Sequence, residues 1–497
     1  MLQPPSVTEA PALRMSPQQI DRKFAVVIFA ALWATYALIG PGHTVLNPNT
    51  ISRMGFVFSA VQDHTGVIDA FAPFTVDKAL VNGHFAMDKA PGLALMAIPI
   101  VALANALTSL TGLSTAPIEG GKLTLFYILT TSLATILTSA PLTAAAAAAC
   151  FRLARRLGAS QTASCFGALT FGLCTPAFGW STVFFGHAAA GACLFLGFAA
   201  TIAASDPNIP PERDTRAAAI AGAWLGWATV VEFTVAAPVL IVALVGLARI
   251  HRLSAGRQRR IVAASVAAAI AAVIPLAVYN LLVFGSIAHL GYSDVVGFDQ
   301  MQQGFFGISR PRPEIAIALL IGAKRGLVLV SPILALAPIA WFAARGRMQT
   351  PVLLGIIAIP LALLSINAGY AYWDGGASTG PRHLVPAMGF LALAFVPLFD
   401  RCGPAGRSLL IAAALVSLGM SVICATVSME SPFWMENPVT ALLIPNFLAG
   451  DLHNILALAG NGGHAWLVLL VLPWLISGWA AGILRPRGRR EALLTAG

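Results

Sequence analysis

The stretch Asn82–Leu110 reads NGHFAMDKAPGLALMAIPIVALANALTSL. A polar, charged motif ends at Pro91-Gly92, and an apolar run follows directly. Whether that run crosses a membrane decides the topology of everything after it. Apolar runs of this kind recur along the chain, which has 497 residues, 58% hydrophobic and only 10% charged. Its mean hydropathy is +0.80. Soluble folds carry about 25% charged residues, and runs of 18 or more apolar residues suit a hydrocarbon core of ~30 Å. The composition therefore specifies an all-α polytopic membrane protein. The ~10-residue alternating strands of a membrane barrel are missing from the pattern.

Residues 1–23 are polar, and Phe24–Gly40 is apolar with no small-residue cleavage site after it, which reads as a signal anchor that stays in the membrane. Cys150, Cys165, Cys174, Cys193, Cys402 and Cys424 lie in apolar runs or at their ends, with no metal or disulfide spacing. The net charge of +10 fits the cytoplasmic bias of Lys and Arg better than a nucleic-acid partner.

Basic clusters at Arg152/Arg155/Arg156, Arg249–Arg260, Arg345/Arg347, Arg401/Arg407 and Arg485–Arg490 fix the parity. After a first span at 24–39, one crossing only can intervene before Arg152. The charge-free run Leu123–Ala148 leads straight into that cluster and takes the role. Gly92–Leu110 is then a non-crossing interfacial or re-entrant helix, with Pro99 as its break. Further spans at 160–179, 183–203, 217–231, 233–248, 261–285, 326–343, 351–369, 383–399, 408–427 and 465–484 give a bundle of about 12 transmembrane helices. A cytoplasmic tail (1–23), a transmembrane domain (24–484) and a basic tail (485–497) follow. The outer loops are 42–122, 286–325, 370–382 and 428–464. Met54, Val57, Phe58 and Val61 recur at i, i+3, i+4 and i+7, which predicts a short helix on the membrane surface.

Nine cations fall outside against the positive-inside bias: Arg53, Lys78, Lys89, Lys122, Arg310, Arg312, Lys324, Arg325 and Arg382. Arg310, Arg312 and Lys122 read as solvated loop charges. The others suit an anion site at the membrane surface, the depth of a lipid-linked phosphate. Lys89 precedes a helix start whose backbone N–H groups favour phosphate. Gly375, Gly376 and Gly380 lie just before Arg382 and allow close backbone approach. Tyr372 and Trp373 offer flat faces to a sugar ring or to the membrane interface. His187 lies near the outer end of a span, and Glu232 is a carboxylate at membrane depth, a costly placement that reads either as a functional group or as a cap or pair within the bundle.

Four stretches together carry a resemblance. They are NPNTISR…VID…TVDKALVNGHFAMDKAPG (from Asn47), YSDVVGFDQMQQGFFGISRPRPE (from Tyr292), KRGLVLVSP (from Lys324) and YWDGGASTGPRHLVPA (from Tyr372). In that order they resemble bacterial polyprenyl-phosphate-dependent glycosyltransferases of the GT-C membrane superfamily. Relatives there include the lipid A aminoarabinose and galacturonic acid transferases and the protein O-mannosyltransferases. The resemblance implies a long first outer loop with juxtamembrane helices, a polyprenyl-phosphate-linked sugar donor and an acidic catalytic residue in that loop. It implies an acceptor on a glycolipid, lipopolysaccharide or protein, and a site facing the periplasm from the bacterial inner membrane. In the aminoarabinose transferases a Lys-Pro pair approaches the donor phosphate; here Lys89-Ala90-Pro91 stands there with one residue inserted. Those relatives carry the acid just after the first span, where this chain has Asn47 and Asn49.

Asp77 and Asp69 are thus the candidate catalytic bases. Lys89, Arg382, Arg325 and Lys78 are candidates for the donor phosphate, and Arg53, Asp88, His187, Tyr372 and Trp373 for the substrate. Some superfamily members use a divalent metal, which no His/Asp spacing here marks. A transporter or flippase of lipid-linked sugars is the rival reading. It calls for repeats and interrupted helices meeting at the midplane, whereas the charges here gather at one face.

Overall fold

Ser16 opens the first helix: its hydroxyl accepts from Gln19 N–H (3.3 Å), while Gln19 Oε1 accepts from Ser16 N–H (2.8 Å). This reciprocal cap starts α1 (Pro17–Ile39) at the polar edge of the first apolar run. The computed structural model describes residues 16–453 and 463–482. Most of the expected N-terminal tail, the basic tail at 485–497 and part of the 428–464 loop lie outside the described residues.

After α1 come α2 (Pro48–Phe58), α3 (Gly92–Ser109), α4 (Leu125–Leu137), α5 (Ser139–Arg156), α6 (Gln161–Leu173), α7 (Ala177–Ser181), α8 (Gly186–Ala204), α9 (Pro211–Val231), α10 (Ala236–Ile250) and α11 (Ala255–Phe284). The second half adds α12 (Pro313–Ile321), α13 (Leu327–Val330), α14 (Ala337–Ala344), α15 (Thr350–Gly369), α16 (Met388–Arg401), α17 (Pro404–Val427), α18 (Ile444–Ala449) and α19 (Leu472–Ala480). The strands are β1 (Ala79–Val81) paired with β2 (His84–Ala86), and β3 (Ile118–Glu119) paired with β4 (Lys122–Leu123).

The protein is a polytopic helical membrane protein. Among the described residues nine helices are long and apolar enough to cross a bilayer, and three shorter apolar helices accompany them. Val262, Val266, Ile270, Ile274 and Val278 form one exposed stripe along α11, as a lipid-facing helix requires. On its other side α11 lies close against α9: Ser265 Oγ donates to Ala218 O (2.9 Å).

Several expectations shift. The run after Pro91 forms α3 unbroken through Pro99, and its length and composition suit a span. A proline removes one ladder hydrogen bond, and the turns on either side carry the helix on. The expected span at 160–179 holds only the 13 residues of α6 before the short α7, under the ~20 a crossing needs. Residues 217–248 do divide in two: Glu232 is extended (φ −155°, ψ 119°) between α9 and a 3-10 turn that leads into α10.

The helix expected on the membrane surface is buried throughout: every residue of α2 from Asn49 to Phe58 is enclosed. Its apolar side packs Phe58 against Phe71, Phe126 and Tyr127 (ring centroids 5.8–6.1 Å). On its polar side Ser52 meets Asp88 and Arg53 meets Ala90 O rather than water, while Asn49 Oδ1 accepts from Arg53 Nε.

The four loops join one another. Val296 N–H donates to Lys78 O (3.0 Å), Ile308 bridges to Tyr370, and Thr379 N–H donates to Met429 O (2.9 Å). Arg312, expected as a solvated charge, donates Nη2 to Tyr370 O (3.1 Å) and fastens two of these loops.

Candidate active site

Lys89 stands at the centre, in the short segment between β2 and α3. Its ammonium lies 2.7 Å from Asp88 Oδ2 and 3.3 Å from Asp77 Oδ1. Asp88 is enclosed, with a side chain 1% exposed, whereas Asp77 keeps 14%. The other Asp88 oxygen meets Ser52 Oγ at 3.4 Å. Burial pushes the Asp88 carboxyl above its ordinary range, against the pull of Lys89. Burial works against the Lys89 charge too, but Asp77 and then Asp88 prevail and raise its pKa. Lys89 therefore stays protonated, and burial loosens the hold of Asp88 on its charge.

Arg53 approaches from α2. Its Nε donates to Asn49 Oδ1 (3.0 Å) and its Nη1 to Ala90 O (2.7 Å). Burial pulls this guanidinium down from its ordinary value, while Glu232, Tyr292, Asp88 and Asp77 pull it back up.

Glu232 closes the other side. Its position depends on Gly186, the first residue of α8. A Cβ there would lie 2.8 Å from Val231 O, 3.1 Å from Glu232 Oε2 and 3.3 Å from Arg53 Nη2. Only glycine lets the α8 start, the α9 end and Arg53 converge so tightly. His187 Nδ1 lies 3.5 Å from Glu232 Oε2 and, within the described residues, makes no hydrogen bond. The ring of His187 meets His383 edge-on at 4.8 Å, and His383 meets Tyr370 at 5.5 Å. Arg53, Lys89 and Arg382 all lie close enough for their charges to act on Glu232.

Arg382 comes from the glycine-rich loop. Its guanidinium lies over Phe185 at 5.2 Å. Gly375 has φ +70°, and a Cβ there would sit 2.9 Å from Arg382 Nε, so the loop admits this side chain only with glycine at 375. Neither α3 nor α8 has a side-chain cap on its first N–H groups. Two bare helix starts and the cations Arg53, Lys89 and Arg382 thus stand among the carboxylates Asp77, Asp88 and Glu232, and the helix starts add partial positive charge that favours an anion.

Other sequence candidates lie apart from this cluster. Asp69 is exposed, its oxygens taken by His84 Nδ1 (2.7 Å) and Phe85 N–H (2.6 Å). Its own desolvation raises its pKa, yet these two hydrogen bonds and the His84 charge together hold it below the usual carboxylate range. Lys78 donates to Ala72 O (2.6 Å) and covers the Phe85 ring at 4.7 Å. Arg325 is buried and gives Nε to Asp374 O (2.8 Å), Nη1 to Lys324 O (3.0 Å) and Nη2 to Gly376 O (2.7 Å). It shapes the glycine-rich loop, and Lys324 pairs with Asp374 at 3.2 Å. Tyr372 packs edge-on against Phe298 (5.3 Å), and Trp373 against the apolar core.

His383 and Tyr292 were not singled out by the sequence. His383 directly follows Arg382, and one turn of helix places it on His187. The hairpin that holds Asp69 and Lys78 did have a signal. Asn82-Gly83 between Leu80-Val81 and Phe85-Ala86 is the Asn-Gly turn of a two-residue hairpin, and both residues have positive φ (51° and 85°).

No family model matches the chain, and no curated protein matches it. Solved structures similar to it include ArnT from Cupriavidus metallidurans bound to undecaprenyl phosphate. That match has a TM-score of 0.49 and 15% identity, over 94% of this chain and 71% of the other. ArnT in the apo state gives 0.49 and 17%, over 94% and 72%. The archaeal oligosaccharyltransferase AglB from Archaeoglobus fulgidus, in complex with an inhibitory peptide and a dolichol-phosphate, gives 0.46 and 12%, over 82% and 56%. At such scores and identities the likeness carries no functional argument by itself.

Proposed function

We propose that the chain is a GT-C-type glycosyltransferase. It moves a sugar from a polyprenyl-phosphate donor to a hydroxyl of a glycolipid, lipopolysaccharide or protein at the outer face of the bacterial inner membrane. One observation carries the reading: Arg53, Lys89 and Arg382 converge on Glu232 at the uncapped starts of α3 and α8. A phosphodiester headgroup that joins sugar to polyprenyl, and that leaves as the more highly charged polyprenyl phosphate monoester, suits such a field, and the apolar helix surfaces beside it suit the polyprenyl tail.

The departing polyprenyl phosphate is a weak base and needs counter-charge more than a proton. Lys89 and Arg382 supply that charge. The acceptor hydroxyl does need a base as the new bond forms. Asp77 is the best placed carboxylate. It is partly open, and it shares Lys89 with Asp88, so it sits beside the cation that holds the phosphate. Asp88, enclosed and bonded to Ser52 and Lys89, positions the ammonium. A single displacement of this kind inverts the anomeric centre. Among the described residues no group of three or more His, Cys, Asp or Glu is placed to hold a metal, and each step above runs through the chain's own side chains.

The test is purified protein with radiolabelled undecaprenyl-phosphate sugars and a membrane lipid extract. Wild type transfers label to the extract, while Asp77→Asn and Lys89→Ala do not. Movement of lipid-linked sugar across vesicles without any transfer would replace this reading by a flippase.

A further inference from the structure

Two rows of aromatic rings run from the loops inward to Glu232. In the first, Phe305 meets Phe306 (ring centroids 5.0 Å), Phe306 meets Tyr292 (6.1 Å) and Tyr292 meets Phe233 edge-on (5.6 Å). Phe233 directly follows Glu232 in the chain. In the second, Tyr372 meets Tyr370 (5.9 Å), Tyr370 meets His383 (5.5 Å) and His383 meets His187 (4.8 Å), whose Nδ1 lies 3.5 Å from Glu232 Oε2. Gly291 seats the first row against the Lys89 segment: a Cβ there would lie 3.1 Å from both Cα and O of Asp88. Tyr292 is thereby held beside the Asp88 backbone as well as the Phe233 ring.

The outer end of the first row is a strained hairpin. Phe305 N–H donates to Ile308 O (3.0 Å) and Ile308 N–H to Phe305 O (3.1 Å), with Phe306 and Gly307 both at positive φ (51° and 79°). The first central place of such a two-residue turn ordinarily holds Asn, Asp or Gly. A bulky side chain there strains the backbone, and the strain persists only where the surroundings hold it. Here Ala371 N–H donates to Gly307 O (2.8 Å), Ile308 bridges to Tyr370, and a Cβ on Gly307 would lie 3.2 Å from the Tyr370 ring. The hairpin thus fastens the two rows to each other. Asn in place of Phe306 would relieve the strain and take a ring out of the row. The tip ring, Phe305, is 71% exposed.

The flanks of the tip select its occupant. Gln302, Gln303, Ser309 and Arg310 beside it are exposed. A lipid-facing tip calls for apolar flanks, as along α11; this one sets a flat ring among amide, hydroxyl and guanidinium groups. A pyranose matches both. Its C–H face packs on the negative face of an aromatic ring, and its rim of hydroxyls gives and accepts hydrogen bonds. The donor phosphate belongs at Lys89 and Arg382, and three ring-to-ring steps of 5.0–6.1 Å separate Phe233 from Phe305. A sugar bonded directly to that phosphate occupies the inner end of the row, whereas a molecule arriving from solution meets the tip first. We infer that the Phe305–Phe306 hairpin and the ring row behind it bind a sugar of the acceptor, so that the acceptor carries a saccharide and is not a bare peptide. The assignment rests on the glycosyltransferase reading and narrows its acceptor class.

The experiment uses the full chain in detergent, with radiolabelled undecaprenyl-phosphate hexose as donor and the glycolipid fraction of a membrane extract as acceptor. The competitors are lipid-free core oligosaccharide released from lipopolysaccharide and a peptide rich in Ser and Thr. The variants are Phe305→Ala, Phe305→Leu and Phe305→Trp, with Trp434→Ala as a control at a comparably exposed ring (69%) outside both rows. Phe305→Ala raises the acceptor KM by about threefold to tenfold, and the loss falls on KM rather than on kcat. Phe305→Trp keeps the wild-type KM, and Phe305→Leu, which retains apolar bulk without a flat face, does not. The oligosaccharide competes in wild type and more weakly in Phe305→Ala; the peptide does not compete. Wild-type KM in Phe305→Ala or Phe305→Leu, or an equal rise in Trp434→Ala, overturns the saccharide surface. So does competition by the peptide instead of the oligosaccharide, or by neither. In each of these cases transfer by wild type leaves the enzyme reading standing. Wild type that transfers label to no acceptor overturns the glycosyltransferase reading itself.

Discussion

Replacing Lys89 by Met separates its two roles. Met fills similar volume but removes the ammonium that lies between Asp77 and Asp88. Asp88, 1% exposed, then keeps, among the described residues, only the 3.4 Å contact with Ser52 Oγ. Breaking a buried pair from one side costs about 3–5 kcal/mol. Protonation of Asp88 limits the damage: from its ordinary value of 3.8 to pH 7 the cost of taking up the proton is about 4 kcal/mol, at ~1.36 kcal/mol per pH unit. A carboxyl whose pKa is raised on folding loses stability as pH rises from its unfolded value through its folded one. The Lys89→Met protein is therefore least stable at neutral pH and regains stability toward pH 5. Adding Asp88→Asn removes the stranded charge and restores most of the unfolding temperature in detergent. Sugar transfer does not return, because loss of one preorganised charge on the leaving phosphate costs about 10²–10³-fold. Thermal unfolding from pH 5 to 8 and radiolabel transfer on the same three proteins check both halves. A Lys89→Met/Asp88→Asn protein with wild-type transfer would refute the phosphate role and leave Lys89 a packing residue.

Asp77→Asn lowers transfer by about 10²–10⁴-fold with the bare lipid Kd unchanged, as loss of a general base requires; Asp69→Asn, confined to the hairpin with His84 and Phe85, leaves the rate within about twofold. Equal effects in the two would show that the base is elsewhere. Gly186→Ala places a Cβ 2.8 Å from Val231 O and 3.3 Å from Arg53 Nη2; it lowers stability by about 1–3 kcal/mol and weakens lipid phosphate binding, read by denaturation and by Kd. Arg325→Lys loses the forked contact with the Asp374 and Gly376 carbonyls and destabilises by more than about 1.5 kcal/mol, while proteolysis first cuts the 374–380 loop. An unchanged cleavage pattern would contradict the role given to Arg325.

The sequence made the class legible because a bilayer leaves its mark on composition: few charges and long apolar runs admit little else. It also marked Arg53, Lys89 and Arg382, since a cation against the inside rule has to be held by something. What it could not resolve was which cations are free. Lys78, Lys89 and Arg325 look alike in sequence, yet one lies on a Phe85 ring, one joins two carboxylates, and one has its guanidinium taken up by three carbonyls. Such differences come from contacts between segments tens to hundreds of residues apart. The same holds for α2. Its apolar period suggested a helix on a surface, because period reports one face and says nothing of what covers the other. In the protein the polar face is covered by the stretch at Asp88–Ala90, which turns Ser52 and Arg53 from surface residues into parts of a site. In a membrane protein of this composition, then, charge economy shows where to look, and the hydrogen bonds of each charge decide which of them is left to act on a substrate.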